Sequence, residues 1–203
     1  MRQLGRPRST EADRAIIDAV LEEVIAEGID GMSIEQVAAR AGVAKATVYR
    51  RWPNKEALLL DAVTGVEVEL PTLTGVSVRD DLVLLVDSMR RRVADAMQPG
   101  ESIASRLYPC MIAEGTRHPE IAAKYKQRVV EQRREAVRTV LRRGIANGEL
   151  RGDLDIETML LLVIAPMLVQ MYMWSAGAEL PPESSATYVD GVLDGLRTRE
   201  DVR

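Results

Sequence analysis

Several residue types are absent or scarce in this chain of 203 residues, and each scarcity excludes a class of site. The chain has no Phe, one Cys and one His. The single Cys110 allows no intramolecular disulfide, which is typical of proteins in a reducing compartment. One Cys and one His exclude a zinc site with the usual nitrogen and sulfur ligands. A Ser-His-Asp triad would need His118 as its base, so we expect no catalytic residues, no metal and no cofactor.

We expect neither a targeting segment nor a membrane-spanning segment. Residues 1–14 carry charges with no apolar run behind them, so they do not form a signal peptide. Residues 159–178 are apolar and about long enough to cross a bilayer. Pro166 and Gln170 interrupt this run, its flanks are acidic, and no cluster of Lys or Arg orients it. We therefore expect a buried core or interface helix in a cytoplasmic protein without a membrane partner.

The charge is unevenly distributed along the chain. The formal net charge is −4, which by itself argues against a nucleic-acid-binding protein. Two islands, however, contain basic residues and no acid. Residues 2–8 contain three basic residues and residues 40–55 contain five, namely Arg2, Arg6 and Arg8 in the first and Arg40, Lys45, Arg50, Arg51 and Lys55 in the second. Local basic islands suit a phosphate surface, because electrostatic attraction to DNA depends on the local charge.

The pattern of apolar residues is helical almost throughout. No alternation of period two and no Asn-Gly hairpin turn occurs, so we expect an all-α fold of about nine helices. Residues 69–76 contain Pro and Gly without a helical period and are predicted to be a linker. They separate an N-terminal three-helix domain with a helix-turn-helix, residues 1–66, from a larger helical domain, residues 77–203.

Residues 34–52 contain the strongest functional signal. Ser33 and Gln36 form a capping box at the start of one short helix, and Gly42 ends it before a second. Such a pair holds one helix across the DNA backbone while the next lies in the major groove. Ala38 is expected where the two helices cross. The outer face of the second helix is expected to keep five side chains free, namely Lys45, Thr47, Tyr49, Arg50 and Arg51.

About residues 10–66 resemble the N-terminal domain of the tetracycline-repressor-like (TetR) family of transcriptional regulators, and residues 28–63 carry the resemblance. The family pattern is Gly-Val-Ser-x-Gly-Thr-x-Tyr-x-His-Phe-x-x-Lys-x-x-Leu, and this chain has Gly-Val-Ala-Lys-Ala-Thr-Val-Tyr-Arg-Arg-Trp-Pro-Asn-Lys-Glu-Ala-Leu. Ala44 replaces the usual Ser, which removes a side-chain cap from the second helix. Arg51 and Trp52 replace His-Phe, so an aromatic side chain remains and an extra cation appears.

The resemblance implies a DNA-binding regulator without enzymatic activity. Its function would be that of a repressor which binds a palindromic operator as a homodimer and is released by a small-molecule effector. It implies major-groove contacts for Lys45 and Thr47, and phosphate contacts for Tyr49 and Lys55. Ser33 lies at a helix N-terminus that favours an anion. The candidate DNA-binding residues are Arg6 and Arg8 in an N-terminal arm, Ser33, Lys45, Ala46, Thr47, Tyr49, Arg50, Arg51 and Lys55.

The larger domain resembles the family more weakly, in outline. That resemblance implies dimerisation through the last two helices. Gly191 and Gly195, four residues apart on the last helix, would let a partner helix approach closely. The predicted interface side chains are Met159, Val163, Val189, Val192, Leu193 and Leu196.

A ligand pocket in the larger domain is a second expectation. Met-rich surfaces adapt to varied ligands, and few ionisable groups fall on these faces, so the effector is expected to be mostly hydrophobic. The same pattern also fits a filled core, and the sequence leaves both interpretations open. The candidate pocket residues are Met89, Leu107, Tyr108, Met111, Tyr125, Met167, Met171, Tyr172 and Trp174.

Two other interpretations compete with a DNA-binding regulator. The chain would be a helical enzyme or ligand-binding protein with a non-functional helix-turn-helix if acids such as Glu114, Glu120 or Asp153 acted with His118. It would be a membrane-associated protein if residues 159–178 inserted into lipid. Paired polar groups at matching helical spacing would favour the enzyme, and the sequence has none in the pocket helices.

Overall fold

The computed structural model describes residues 10–66, 68–95, 103–175 and 184–197, and their regular secondary structure is helical. An isolated antiparallel bridge joins Leu150 and Arg197. The helices are α1 (Thr10–Gly31), α2 (Ile34–Arg40), α3 (Lys45–Tyr49), α4 (Lys55–Thr64), α5 (Val78–Asp95), α6 (Ile103–Glu114), α7 (Pro119–Tyr125), α8 (Glu131–Ala146), α9 (Ile156–Ser175) and α10 (Ser185–Leu196). A π-helical segment, Lys126–Val130, joins α7 to α8. When α7, the π-helical segment and α8 are counted as one helix, the described residues contain nine helices, as predicted.

The described residues form two compact units. The first unit contains residues up to 66 together with 103–128, and the second contains 68–95 and 129–197. Helices α6 and α7 therefore pack with α1 to α4, although they follow α5 in the chain. In the first unit, Arg106 of α6 forms an ion pair with Glu22 of α1, with Nη1 and Oε2 3.0 Å apart.

Helix α1 has a kink at Gly28. Gly28 has φ 74° and ψ 175°, and φ values in this range favour glycine because it has no Cβ. The side chains of Ile16, Val20 and Val24 recur at helical spacing before the kink and are fully buried. The regular helix therefore ends at Gly28.

The linker between α4 and α5 is anchored to the second unit by one buried carboxylate. Asp81 of α5 is fully buried. It accepts hydrogen bonds from the backbone N–H groups of Thr74 and Gly75, at 2.7 and 3.0 Å. It also pairs with Arg143 of α8, with Nη2 and Oδ2 2.7 Å apart. A buried charge needs such partners, because an unpaired one would be strongly destabilising.

The core of the second unit contains most of the side chains that the sequence assigned to a dimer interface. Five of those six are buried against α5, α8, α9 and α10 of the same chain, and Val192 is half-buried against them: Met159, Val163, Val189, Leu193 and Leu196. A side chain that is already buried has no surface left for a partner. The predicted interface is therefore wrong for these five residues.

The outward face of α9 is apolar as well. Leu161, Leu162, Leu168 and Val169 are 51%, 48%, 39% and 59% exposed. A helix that is hydrophobic all round gives no periodic signal for its buried face, so the sequence of α9 does not distinguish the buried Met159 and Val163 from the exposed Leu161 and Leu162. In the part of the chain that the structure describes, no helix is both long enough and apolar enough to cross a membrane.

Candidate nucleic-acid interface

The helix-turn-helix begins at Ser33, the predicted N-cap of α2. Ser33 has extended backbone dihedrals, and its hydroxyl accepts a hydrogen bond from the Gln36 N–H at 3.2 Å. The same hydroxyl donates to Gln36 Oε1 at 2.8 Å. Helix α2 ends before Gly42, whose φ is 66°. The Val43 N–H then donates to the Ala38 carbonyl at 3.0 Å, which closes the turn.

Small and branched side chains fix α3 against α2. Val37 and Val48 are fully buried and Ala38 is 4% exposed. After α3, the Trp52 indole N–H donates to Asp61 Oδ2 of α4 at 2.8 Å. Ala38 is therefore buried within the helix-turn-helix, in agreement with the position that the sequence predicts for it.

Helix α3 presents most of its predicted reading face to solvent. Ala44 provides no side-chain cap, as expected from the loss of the family's Ser. Lys45, Ala46 and Arg50 are exposed, Tyr49 is 47% exposed, and Thr47 is half-buried. Tyr49 is thus a surface side chain rather than a core aromatic.

Lys45 interacts with an acidic and an aromatic side chain on this face. Its Nζ forms an ion pair with Glu35 Oε1 of α2 and lies 5.7 Å from the centroid of the Tyr49 ring. The hydrogen bond with Glu35 raises the pKa of Lys45, and the same contact lowers the pKa of Glu35. The pair joins the two helices on their exposed side.

Arg51 is not free, contrary to the expectation from the sequence. Its Nε pairs with Asp13 Oδ1 of α1, and its side chain is only 12% exposed. Arg51 comes three residues after the buried Val48, so the helical period turns it toward the interior. Arg40 is likewise paired with Glu23 of α1, at 2.8 Å. Both cations join the helix-turn-helix to α1.

Lys55 lies at the start of α4. Asn54 caps this helix, because its Oδ1 accepts a hydrogen bond from the Ala57 N–H at 2.7 Å. The Lys55 ammonium donates to the Asp30 carbonyl at 3.0 Å and remains half-exposed. Arg6 and Arg8 lie outside the described residues.

The candidate pocket residues divide between the two units. In the first unit Leu107, Met111 and Tyr125 are buried, and the ring centroid of the half-buried Tyr108 is 6.5 Å from that of Tyr125. In the second unit, Met167 is buried and Met89 packs against the core. The side chains of Met171, Tyr172 and Trp174 lie outside the described residues.

A cleft of about 580 Å³ occurs in the first unit, and none of the candidate pocket residues lines it. It is lined by Ile29, Asp30, Lys55, Glu56, Leu59, Arg117, His118, Pro119, Glu120 and Ile121. Asp30 is its charged centre, since Oδ1 lies 3.1 Å from His118 Nε2 and Oδ2 lies 2.5 Å from Arg117 Nη2. This charged lining does not match the hydrophobic pocket that the sequence predicts.

Reactive groups are few in the described residues. Cys110 is half-buried, and its thiol donates to the Val24 carbonyl at 3.3 Å. Burial raises the pKa of Cys110 to about 11, and a thiol of such pKa is a poor nucleophile at neutral pH. Among the described residues, no group of three His, Cys, Asp or Glu side chains is arranged to hold a metal ion.

Two family profiles match this chain. Residues 16–62 match the profile described as bacterial regulatory proteins, tetR family. Residues 72–192 match the tetracyclin repressor-like C-terminal domain. Together they span both the helix-turn-helix and the second unit's helices.

Individual relatives agree with the profiles. The uncharacterized HTH-type transcriptional regulator YdeS of Bacillus subtilis is 31% identical over 82% of this chain and 81% of its own length. The DNA-binding transcriptional repressor TetR of Mycobacteroides abscessus is 27% identical over 73% of this chain and 75% of its own. The solved structure of the flavonoid-responsive regulator FrrA has this fold, with a TM-score of 0.68, 18% identity and coverage of 95% and 100%.

Regulators of this family bind operator DNA as dimers and respond to small-molecule effectors. The helix pair α2 and α3 lies within residues 16–62, which match the N-terminal profile of the family. The chain belongs to the TetR family of DNA-binding bacterial transcriptional regulators.

Proposed function

We propose that this regulator is a repressor that binds a palindromic operator and is released from it by a small, mostly hydrophobic effector. The observation that carries the DNA part is the reading surface, which we define as the exposed and half-buried residues of α3 and its C-cap together with those at the starts of α2 and α4: Ser33, Lys45, Ala46, Thr47, Tyr49, Arg50 and Lys55. It contains cations, a hydroxyl-bearing aromatic and helix N-termini, the groups that contact phosphates and base edges.

The proposed contacts follow from the chemistry of each side chain. Lys45, at the start of α3, would donate to the O6 and N7 acceptors of guanine in the major groove. Tyr49 and Arg50 would donate to phosphates beside it, and Lys55 to a phosphate at the start of α4. We leave Arg51 out of the reading surface, because its guanidinium is engaged by Asp13.

We propose a homodimer whose interface is the outward face of α9 with the exposed side of α10. Four apolar side chains of α9 are exposed. On α10, a Cβ added at Gly191 or Gly195 would meet no atom within 4 Å, so a second copy could approach closely there. A two-fold dimer would place two copies of α3 on the two halves of a palindrome.

The repressor and effector parts of the proposal are supported by relatives and composition. The M. abscessus relative is named as a repressor, and FrrA is named as flavonoid-responsive. The half-buried Met89, which packs against the core of the second unit, supplies adaptable apolar surface. We propose that the regulator acts in the cytoplasm, where bacterial DNA lies, and has no enzymatic activity. A compound that binds but leaves operator affinity unchanged would contradict its role as an effector.

Selection from a random double-stranded DNA library tests the DNA part directly. We expect enrichment of a palindrome with half-site centres about one helical turn, or a multiple of it, apart. Tyr49→Ala and Lys55→Ala should weaken binding to all enriched sequences alike, because they remove phosphate contacts. An absence of enrichment at low salt, where phosphate binding is strongest, would overturn the proposal.

A further inference from the structure

The ion pair between Glu35 and Lys45 lies within the reading surface and restrains one of its cations. We infer that Glu35 is a specificity-determining positioning residue, which holds the Lys45 ammonium and thereby weakens binding to DNA that lacks the operator sequence. This inference rests on the proposed function. It adds a role for an acidic residue of α2 to the contacts proposed for α3.

The position of the pair depends on the packing beneath it. Glu35 is the second residue of α2 and Lys45 is the first of α3. Helices α2 and α3 are in contact, and Val37, Ala38 and Val48 are buried beneath the pair, so packing holds the two helices beside each other. Their side chains are 64% and 47% exposed, so both ions remain accessible to a DNA strand.

The other cations of the helix-turn-helix are in different situations. Arg40 and Arg51 are turned toward acids of α1. Arg50 is exposed and forms no ion pair with the described residues. Of the two exposed cations on and next to α3, Lys45 therefore has an acidic competitor on the DNA-facing side, whereas Arg50 has none among those residues.

A carboxylate beside an ammonium affects different DNA sequences unequally. A phosphate oxygen can attract Lys45 only in competition with Glu35, and the carboxylate itself repels the phosphate backbone. At an operator, bidentate contacts to guanine compensate for the lost pair. At an unselected sequence only phosphate contacts form. Removing the carboxylate should therefore strengthen unselected binding more than operator binding.

The proposed test is a double-mutant cycle on the full chain with two duplexes. The dissociation constants of wild type and Glu35→Gln are measured on the selected operator and on a scrambled duplex, and then repeated in a Lys45→Gln background. The specificity ratio is the dissociation constant on the scrambled duplex divided by that on the operator. Exposed pairs are weak, so we expect Glu35→Gln to lower this ratio by about two- to fivefold. The ratio should not change in the Lys45→Gln background. Glu56→Gln, an exposed acid in the first turn of α4, is the matched charge control.

A DNA-free measurement shows whether Glu35 acts through Lys45. NMR titration of the Lys45 side chain should give a pKa that falls in Glu35→Gln and stays unchanged in Glu56→Gln, because the pair with Glu35 raises the pKa of Lys45. An unchanged pKa would overturn the inference. So would an equal effect of Glu35→Gln with and without Lys45, which would indicate a general charge effect. If the wild type does not distinguish the two duplexes, the proposed function fails as well; if it does and the ratio survives Glu35→Gln, only this inference fails.

Discussion

At the scale of single residues, Arg50 and Arg51 have opposite environments although they are neighbours in the chain. Arg50 is exposed at the end of α3. The Arg51 side chain is only 12% exposed and is paired with Asp13 of α1. One position along a helix rotates a side chain by about 100°, and a residue at i+3 returns to the face of residue i. Arg51, three residues after the buried Val48, lies on the same face as Val48, whereas Arg50 does not.

The first prediction compares these two arginines. Arg50→Gln should weaken binding to all DNA sequences and reduce the salt slope of the binding constant by about one, because it removes a phosphate contact. Arg51→Gln should lower the free energy of unfolding by about 1–3 kcal/mol, since it leaves Asp13 without its partner. Urea unfolding and fluorescence anisotropy at several salt concentrations separate the two effects. Equal losses of stability would contradict the difference in burial.

At the scale of elements, the linker before α5 is positioned by hydrogen bonds to a side chain. Asp81 accepts hydrogen bonds from the backbone N–H groups of Thr74 and Gly75 and forms an ion pair with Arg143. Gly75 has φ 72°, which lets the chain turn so that its N–H points at the carboxylate. Burial tends to raise the pKa of Asp81, but the hydrogen bonds from Arg143, Thr74 and Gly75 outweigh it and lower the pKa below 3.8.

The second prediction concerns the pH dependence of this anchor. Because the pKa of Asp81 is lower in the folded chain than in the unfolded chain, its stabilisation is complete above the unfolded value of 3.8 and is lost as the pH falls through the folded value. Asp81→Asn should lower the free energy of unfolding by about 3 kcal/mol at pH 7. Below pH 4 the difference between variant and wild type should be smaller.

Urea unfolding of wild type and variant at pH 7 and in mild acid measures this difference. Asp80→Asn is the matched control, since Asp80 is the exposed neighbour in the first turn of α5. A loss for Asp81→Asn that stays the same at both pH values would show that the carboxylate charge is not what holds the linker.

At the scale of the whole molecule, one copy of α3 is a small reading element of five residues. A single short helix offers few contacts, whereas two copies related by a two-fold axis double them on a palindrome. The exposed apolar side chains of α9 are the surface that a second copy would cover. Clusters of this kind on a protein surface commonly mark interaction sites.

The third prediction tests this assembly. Leu162→Glu, on the outward face of α9, should convert a dimer into a folded monomer, because a carboxylate would be buried in an apolar interface. Light scattering at micromolar concentration should show the mass halved, with an unchanged helical circular dichroism spectrum. Ile112→Glu makes the same change at an exposed apolar residue of α6 and should leave the mass unchanged. A wild-type monomer would remove the proposed dimer altogether.

Local signals in the sequence were sufficient for the helices and for the helix-turn-helix. Ser33, Asn54 and Ser77 mark helix starts, and the structure shows each of them accepting a hydrogen bond from a backbone N–H three residues later. Gly28 and Gly42 have the positive φ values that end helices. Caps, glycines and apolar periodicity act over a few residues, so a sequence determines them without knowledge of the rest of the chain.

Tertiary structure decided which faces are free. It placed Met159 and Val163 in the core, left Leu161 and Leu162 exposed on the same helix, and paired Arg51 with Asp13 and Lys45 with Glu35. Each of these outcomes depends on which helices meet, and the partners come from other helices. The sequence by itself determined the helices, the family and most of the reading surface. Packing between distant segments determined the partners, because an apolar helix or a charged side chain is compatible with more than one neighbour until the chain has folded.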